Sequence, residues 1–211
     1  VTVLEVAFPI VCSLLDAHTS NRMAALEMLA LDEAYALLER LCQQYINHAV
    51  CSPGLTVPIW HHKLIWAWFS KQRPQRPSER TVIPSDVRAA HPDLWPEVQL
   101  SERCGSRLGE AIASTFAYQE LLFPSGSMEI VLPVYEDAVM GAFCNQCVVA
   151  AVQAILTAMP AERRVVALEV GAGTGGTASS VTQVLKSRCE RYVFTDVSTV
   201  FLNQARTRFA D

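Results

Sequence analysis

The stretch Val165-Val-Ala-Leu-Glu-Val-Gly-Ala-Gly-Thr-Gly-Gly176 decides the fold of this 211-residue chain. Its first half is a short apolar run bounded by glycine, which is typical of a strand buried in a parallel sheet. Its second half is a glycine turn that leads into a helix predicted over 177–187. A second strand follows at 192–195, and a last helix is predicted after a cap at Ser198 or Thr199. This β-α-β-α order is typical of the beginning of a doubly wound α/β sheet.

The sequence before this stretch is predicted to be helical. Apolar residues recur at helical spacing in four segments, 31–49, 60–71, 97–117 and 142–158. A further short helix is predicted after a cap at Ser85, and Pro160 ends the last of the long helices. The chain therefore reads as a helical part over 31–160 followed by the start of an α/β part over 161–211. Residues 1–30 form a linker or N-terminal extension.

Composition and charge exclude several classes of protein. The chain is 51% apolar and only 18% charged, which excludes a disordered polypeptide and predicts a substantial core. A formal net charge of -4 argues against a nucleic-acid-binding surface, so no nucleic-acid partner is predicted. None of the apolar runs is expected to span a membrane, and no membrane association is predicted.

The seven cysteines indicate a reducing compartment. Their number is odd and their spacing irregular, which fits free thiols in a cytoplasmic protein better than a disulfide framework. Cys144 and Cys147 form a C-x-x-C, but they fall at helical spacing with apolar neighbours and are interpreted as two thiols facing the core. No metal site is predicted there or at the adjacent pair His61 and His62.

The glycine turn is the candidate for ligand binding. A strand that feeds a glycine-rich turn and a helix N-terminus lets a nucleotide approach the backbone closely. The turn fits G-x-G-x-x-G through Gly171, Gly173 and Gly176, which suggests a dinucleotide. It also fits the tighter G-x-G-x-G through Gly175. A tight turn without any ligand is the third interpretation.

Two acidic residues help to separate these interpretations. Glu169 lies two residues before the first glycine, where a dinucleotide fold normally has an apolar strand residue. A carboxylate there can face a cationic group or organise the loop, so Glu169 favours S-adenosylmethionine. Asp196 ends the second strand and is placed to accept hydrogen bonds from a ribose diol, which both cofactors carry.

The motif residues carry a family resemblance. The segments Leu168–Thr177 and Tyr192–Ser198 closely resemble the C-methyltransferase domain of modular polyketide synthases. The helical part is similar as well, for example at Arg103-Cys-Gly105 and at Leu121-Leu-Phe-Pro-Ser-Gly126. The resemblance extends over residues 31–211.

The resemblance implies a Rossmann-like class I methyltransferase fold and a bound S-adenosylmethionine. It makes 31–160 a lid or substrate subdomain and 161–211 the start of the cofactor-binding core, whose sheet looks truncated after its second strand. The residues that would bind the cofactor are Glu169, Gly171, Ala172, Gly173, Gly175, Asp196 and Val197.

The resemblance also implies a reaction. The family methylates the α-carbon of a β-ketoacyl chain held by phosphopantetheine on an acyl carrier protein, next to other polyketide synthase domains. Tyr135 and Asn145 are expected to line the acyl pocket. The family's catalytic His and Glu have no counterpart in this chain, so the expected base lies beyond Asp211. We therefore interpret the chain as a fragment or a truncated gene model that is inactive alone; Tyr135 and His62 are the first candidates for a base within it.

Two other functions remain open at this stage. One is a non-catalytic pseudo-methyltransferase that serves as a structural domain of a megasynthase. The other is a related methyltransferase that acts on an oxygen or nitrogen atom, or a loading-type enzyme that uses a metal. The intact glycine loop argues against the structural domain, because a spacer needs neither Glu169 nor three glycines. The loop does not separate the methyltransferases from one another, because the same cofactor binds in each.

Overall fold

The computed structural model describes residues 28–71 and 81–210, together with residues 12, 13, 16, 17 and 20. Most of the predicted extension over 1–30 therefore lies outside the described residues. The chain divides into two compact units: Leu29–Val131, and Leu132–Asp211 with Val1–Met28. We refer to them as the helical unit and the α/β unit.

The helical unit contains six α-helices among its described residues. They are α1 (Met28–Val50), α2 (His62–Lys71), α3 (Pro84–Ala90), α4 (Trp95–Ser106), α5 (Leu108–Ile112) and α6 (Gln119–Leu122). The amphipathic face of α1 packs against α3 and α4 in a core whose buried residues include Leu41, Val87 and Val98. The helical character predicted for this part of the chain is confirmed.

Two predicted boundaries in the helical unit are wrong. The single helix predicted over 97–117 is broken at Arg107, whose backbone leaves the helical region at φ -120° and ψ 14°. The Arg107 guanidinium lies 3.5 Å from the centre of the Phe116 ring, a contact that folds the chain back after α5. Helix α3 begins one residue before Ser85, because Pro84 occupies its first turn and Ile83 is the N-cap.

The α/β unit begins with a short helix that the sequence did not predict, and from its long helix onward it has the predicted element order. Its elements are α7 (Leu132–Glu136), α8 (Val139–Ala158), β1 (Val165–Val170), α9 (Gly176–Leu185), β2 (Cys189–Thr195) and α10 (Thr199–Arg208). Strands β1 and β2 pair in parallel, with Ala167 opposite Tyr192 and Glu169 opposite Phe194. The adjacent parallel strands confirm the α/β fold class.

The two faces of this sheet differ in burial. On one face, Val165, Ala167 and Tyr192 pack against buried side chains of α8 and α9. On the other face, Val166, Leu168 and Val170 are 53%, 65% and 80% exposed. The prediction of a strand buried on both faces is therefore wrong for the described residues, because α8 and α9 cover one side only.

Helix α8 corrects one expectation from the sequence. Cys144 is exposed and Cys147 is half-buried, so the C-x-x-C does not place both thiols in the core. An 18-residue window of α8 has a mean hydropathy of 1.7, so by length and composition alone this helix is long and apolar enough to cross a membrane. Within this helix Asn145, Ala154 and Leu156 are buried, and the helix packs against α9.

Candidate functional site: the glycine loop

The loop between β1 and α9 is held by the end of the neighbouring strand. Gly171, Gly173 and Gly175 have φ values of 72°, 56° and 82°, in the left-handed region that favours glycine. The Ala172 N–H donates to the Thr195 carbonyl at 2.9 Å, and the Gly175 N–H donates to the Ala172 carbonyl at 3.0 Å. The loop therefore follows the carboxyl ends of both strands, where open α/β sheets bind their ligands.

The glycines leave space on one side of the loop only. A Cβ at Gly171 would meet nothing within 4 Å, and one at Gly173 would meet only the Gly171 carbonyl at 4.0 Å. A Cβ at Gly175 would lie 2.9 Å from the Phe209 ring and 3.3 Å from the Phe194 ring. The backbone of the first two glycines is thus accessible, which fits close approach by a cofactor, whereas the third glycine is needed for packing.

Asp196 braces the loop with both carboxylate oxygens. Its Oδ2 accepts a hydrogen bond from the Gly173 N–H at 2.9 Å, and its Oδ1 accepts one from the Ser198 N–H at 2.7 Å. The second bond lies at the N-cap of α10, where Ser198 makes no side-chain capping bond. A carboxylate has about four lone-pair positions, so capacity for a ligand hydroxyl remains. The predicted role as ribose acceptor stays a prediction, while the contact with Gly173 was not foreseen.

Glu169 lies on the covered face of the sheet and binds Tyr192. The Tyr192 hydroxyl donates to Glu169 Oε2 at 2.7 Å, and the Thr195 hydroxyl donates to the Glu169 carbonyl at 2.7 Å. Burial raises the pKa of Tyr192 well above its usual value, and the hydrogen bond to Glu169 and the charge of Glu169 raise that pKa further. Sequence reasoning missed Tyr192, although its place in the second strand was known.

The Glu169–Tyr192 bond predicts a pH-dependent stability. The folded-state pKa of Tyr192 is raised above 10.0, so its contribution is complete below about pH 10 and is lost as the pH rises through the folded value. Tyr192→Phe should cost about 1 kcal/mol at pH 8, a low figure because the pair is partly exposed. Urea unfolding at pH 8 and pH 11 should show a smaller difference between wild type and variant at pH 11.

Tyr118→Phe is the matched control for that experiment. Tyr118 is 62% exposed, so its replacement should change the free energy of unfolding little at either pH. Equal losses at both pH values for Tyr192→Phe would contradict the role assigned to the Glu169–Tyr192 bond.

The other predicted cofactor residues lie around the same loop. Ala172 is half-buried and contributes through its backbone. Val197 follows Asp196 and is fully exposed at 103%. Both lie next to residues that hold the loop, and their contact with a cofactor stays a prediction.

The two residues expected in the acyl pocket are linked to each other. Asn145 is 8% exposed; its Nδ2 donates to the Tyr135 carbonyl at 2.8 Å, and its Oδ1 accepts from the Thr177 hydroxyl at 2.9 Å. Asn145 therefore joins α7 to the first turn of α9. The Tyr135 side chain is 56% exposed, and its carbonyl lies 3.3 Å from a Cβ built at Gly176. Tyr135 thus lies beside the end of the glycine loop.

The remaining candidate base is placed elsewhere in the chain. His62 is exposed in the helical unit, and its Nε2 lies 3.1 Å from the Val57 carbonyl. No group of three or more metal-ligating side chains occurs among the residues that the structure describes.

Solved structures with this fold include three methyltransferases. The citrinin polyketide synthase CMeT domain matches with a TM-score of 0.79 and 21% identity, over 99% of this chain and 63% of that one. The CurJ carbon methyltransferase matches with a TM-score of 0.72 and 21% identity, over 99% of this chain and 62% of that one. The DszA carbon methyltransferase matches with a TM-score of 0.72 and 22% identity, over 98% of this chain and 61% of that one.

Sequence relatives are segments of very long synthetases. Pyochelin synthetase PchF of Pseudomonas aeruginosa is 35% identical over 125 residues, which are 56% of this chain and 7% of that protein. Hybrid PKS-NRPS synthetase iliA of Neonectria is 28% identical over 189 residues, 82% of this chain and 4% of that protein. Polyketide synthase ThaG of Burkholderia thailandensis is 45% identical over 93 residues, which are 43% of this chain and 2% of that protein.

No protein-family model matches the chain. The structural matches nevertheless cover nearly all of it and confirm the resemblance drawn from the glycine loop and the second strand. The chain has the fold of the carbon methyltransferase domains of polyketide synthases, and it spans about 62% of the length of the solved CurJ domain.

Proposed function

We propose that the chain is part of an S-adenosylmethionine-dependent carbon methyltransferase domain of a polyketide synthase. The observation that carries this proposal is the glycine loop, open at Gly171 and Gly173 and braced by Asp196 at the carboxyl ends of two parallel strands. A ligand with a ribose fits there, because Asp196 keeps lone pairs for its hydroxyls. When bound, S-adenosylmethionine supplies an electrophilic methyl group.

The acceptor in this proposal is the α-carbon of a β-ketoacyl chain on the phosphopantetheine of an acyl carrier protein. Support comes from the carbon methyltransferases and synthetases that the chain resembles. It also comes from the exposed Tyr135 side chain, which lies beside the end of the loop and can contact an acyl chain there. Neighbouring polyketide synthase domains and the cytoplasm are the proposed surroundings.

A structural domain without cofactor is the second candidate. It is favoured by the internal hydrogen bonds of Asp196 and Asn145, which hold the loop and its neighbours without a ligand. The two functions differ in whether S-adenosylmethionine binds, so binding is the decisive measurement.

We expect calorimetric titration to show that the complete methyltransferase domain proposed above binds S-adenosylmethionine and not NAD⁺. Asp196→Ala removes the brace on Gly173 and the acceptor for ribose hydroxyls. The variant should lose about 1.5–3 kcal/mol of binding free energy, or about 10- to 150-fold in affinity. The matched control is Asp93→Ala, which removes an exposed carboxylate in the helical unit.

Each outcome of the titration separates the candidates. Binding of S-adenosylmethionine that weakens in Asp196→Ala alone supports the methyltransferase. No binding by folded wild type supports the structural domain. Tighter binding of NAD⁺ than of S-adenosylmethionine would show that the glycine loop is a dinucleotide site.

A further inference from the structure

We infer that Arg208 and Glu136 form a positioning pair that restrains the glycine loop on its closed side, where Gly175 and Gly176 are packed against neighbouring side chains. The inference rests on the proposed function, because it concerns the loop of the proposed cofactor site. Arg208 Nη2 donates to Glu136 Oε1 at 2.6 Å and to Oε2 at 2.8 Å. The two side chains are only 30% and 21% exposed, so the pair is partly shielded from water. It joins positions that are 72 residues apart in the sequence.

The same guanidinium also reaches the loop itself. Arg208 Nη1 donates to the Thr174 carbonyl at 3.3 Å, and Nη2 lies 3.3 Å from the Ser179 hydroxyl. Thr174 is the residue between the half-buried Gly173 and the buried Gly175. One side chain therefore connects α7, the loop and α9. Only arginine offers this planar set of donors, since a lysine ammonium is a compact point charge on a flexible stem.

Packing around the pair closes the same side of the loop. The Phe209 ring fills the space at Gly175, and the Phe194 and Phe209 ring centres are 6.1 Å apart. The Glu136 Cγ lies 3.3 Å from a Cβ built at Gly176. Side chains at the ends of α7 and α10 thus pack against the loop at Gly175 and Gly176. A Cβ built at Gly173 meets none of these side chains within 4 Å.

This arrangement gives Arg208 an indirect role. Its bond to the Thr174 carbonyl restrains the peptide that follows Gly173, and its pair with Glu136 holds the residue next to Tyr135. The pair would therefore set the spacing between the proposed cofactor loop and the proposed acyl-pocket residue. An ordinary surface ion pair would contribute little and would leave the loop unchanged.

Hydrogen exchange of the ligand-free chain tests the inference without a need for activity. Arg208→Lys keeps the charge but has a single nitrogen, so it cannot donate to Glu136 and to the Thr174 carbonyl from two separate nitrogens as the guanidinium does. We expect amides of residues 173–177 to exchange about fivefold faster, while amides of β1 and β2 keep their rates. The matched control is Arg206→Lys on the same helix, since Arg206 donates to Asn203 alone among the bonds described for it. The control should leave the loop rates unchanged.

Two further variants keep the test decisive. Glu136→Gln should accelerate the same loop amides if Arg208→Lys fails to fold. The charge exchange Glu136→Arg with Arg208→Glu should recover part of the lost protection, which loss of packing alone would not allow. Unchanged loop exchange in both Arg208→Lys and Glu136→Gln, or equal acceleration in the loop and in β1 and β2, would overturn the inference.

Affinity for S-adenosylmethionine separates this inference from the proposed function. Faster loop exchange together with weaker binding of S-adenosylmethionine in Arg208→Lys supports both the positioning pair and the proposed function. Faster loop exchange in Arg208→Lys, together with a complete wild-type domain that does not bind the cofactor, supports the positioning pair and contradicts the proposed function.

Discussion

Gly175→Ala should lower the free energy of unfolding of the α/β unit by about 2–3 kcal/mol. The backbone at Gly175 has φ 82°, a conformation that costs an L-residue about 1–2 kcal/mol. The new methyl group would also lie 2.9 Å from the Phe209 ring, which must move away from its contact with Phe194. Such overpacking typically costs about 1 kcal/mol or more.

Gly171→Ala separates the two parts of that cost. Gly171 has φ 72° and no atom within 4 Å of a built Cβ, so only the backbone cost of about 1 kcal/mol is expected. Urea unfolding should be followed by far-UV circular dichroism, because all four tryptophans lie outside residues 132–211. Equal losses in the two variants would mean that Phe209 does not restrict Gly175.

The local part of this fold could be predicted because its signals are local. The apolar run at β1 and the closely spaced glycines are short contiguous patterns, and each specifies its own backbone. The parallel pairing followed from the intervening helix, since a crossover of that length joins parallel strands. These signals were sufficient for the α/β fold class and for the position of the candidate site.

The contacts that hold the site could not be predicted in the same way. Asp196 was recognised at the end of its strand, but its bond to Gly173 depends on how the loop folds back over β2. The Glu169–Tyr192 bond depends on strand register, including the irregularity between Val165 and Val166. The Arg208–Glu136 pair crosses 72 residues of sequence, and nothing in either segment points to the other.

Burial was the least predictable property, because periodicity shows which residues share a face and not whether that face is covered. The outward face of β1 and Cys144 on α8 both carry apolar or thiol side chains at the expected spacing. In the structure both are exposed. A pattern becomes a core only where a second element packs on it, as α9 does on the other face of β1.

Gly173→Val should reduce the affinity for S-adenosylmethionine more than about 100-fold while the fold persists. The built Cβ at Gly173 meets only the Gly171 carbonyl at 4.0 Å, so the fold has room for a side chain there. That room is the space through which the proposed cofactor approaches the backbone, and a branched side chain would fill it. Calorimetric titration of the folded variant measures the loss.

Gly54→Val in the helical unit is the control for backbone strain. Gly54 has φ 79° and nothing within 4 Å of a built Cβ, so a valine there meets the same conformational penalty away from the loop. Both variants should lose about 1–2 kcal/mol of unfolding free energy. Only Gly173→Val should lose cofactor affinity, because its side chain fills the space through which the cofactor approaches the loop. Backbone strain alone, which both variants share, should not lower the affinity. Wild-type affinity in Gly173→Val would show that the open side of the loop is not where S-adenosylmethionine binds.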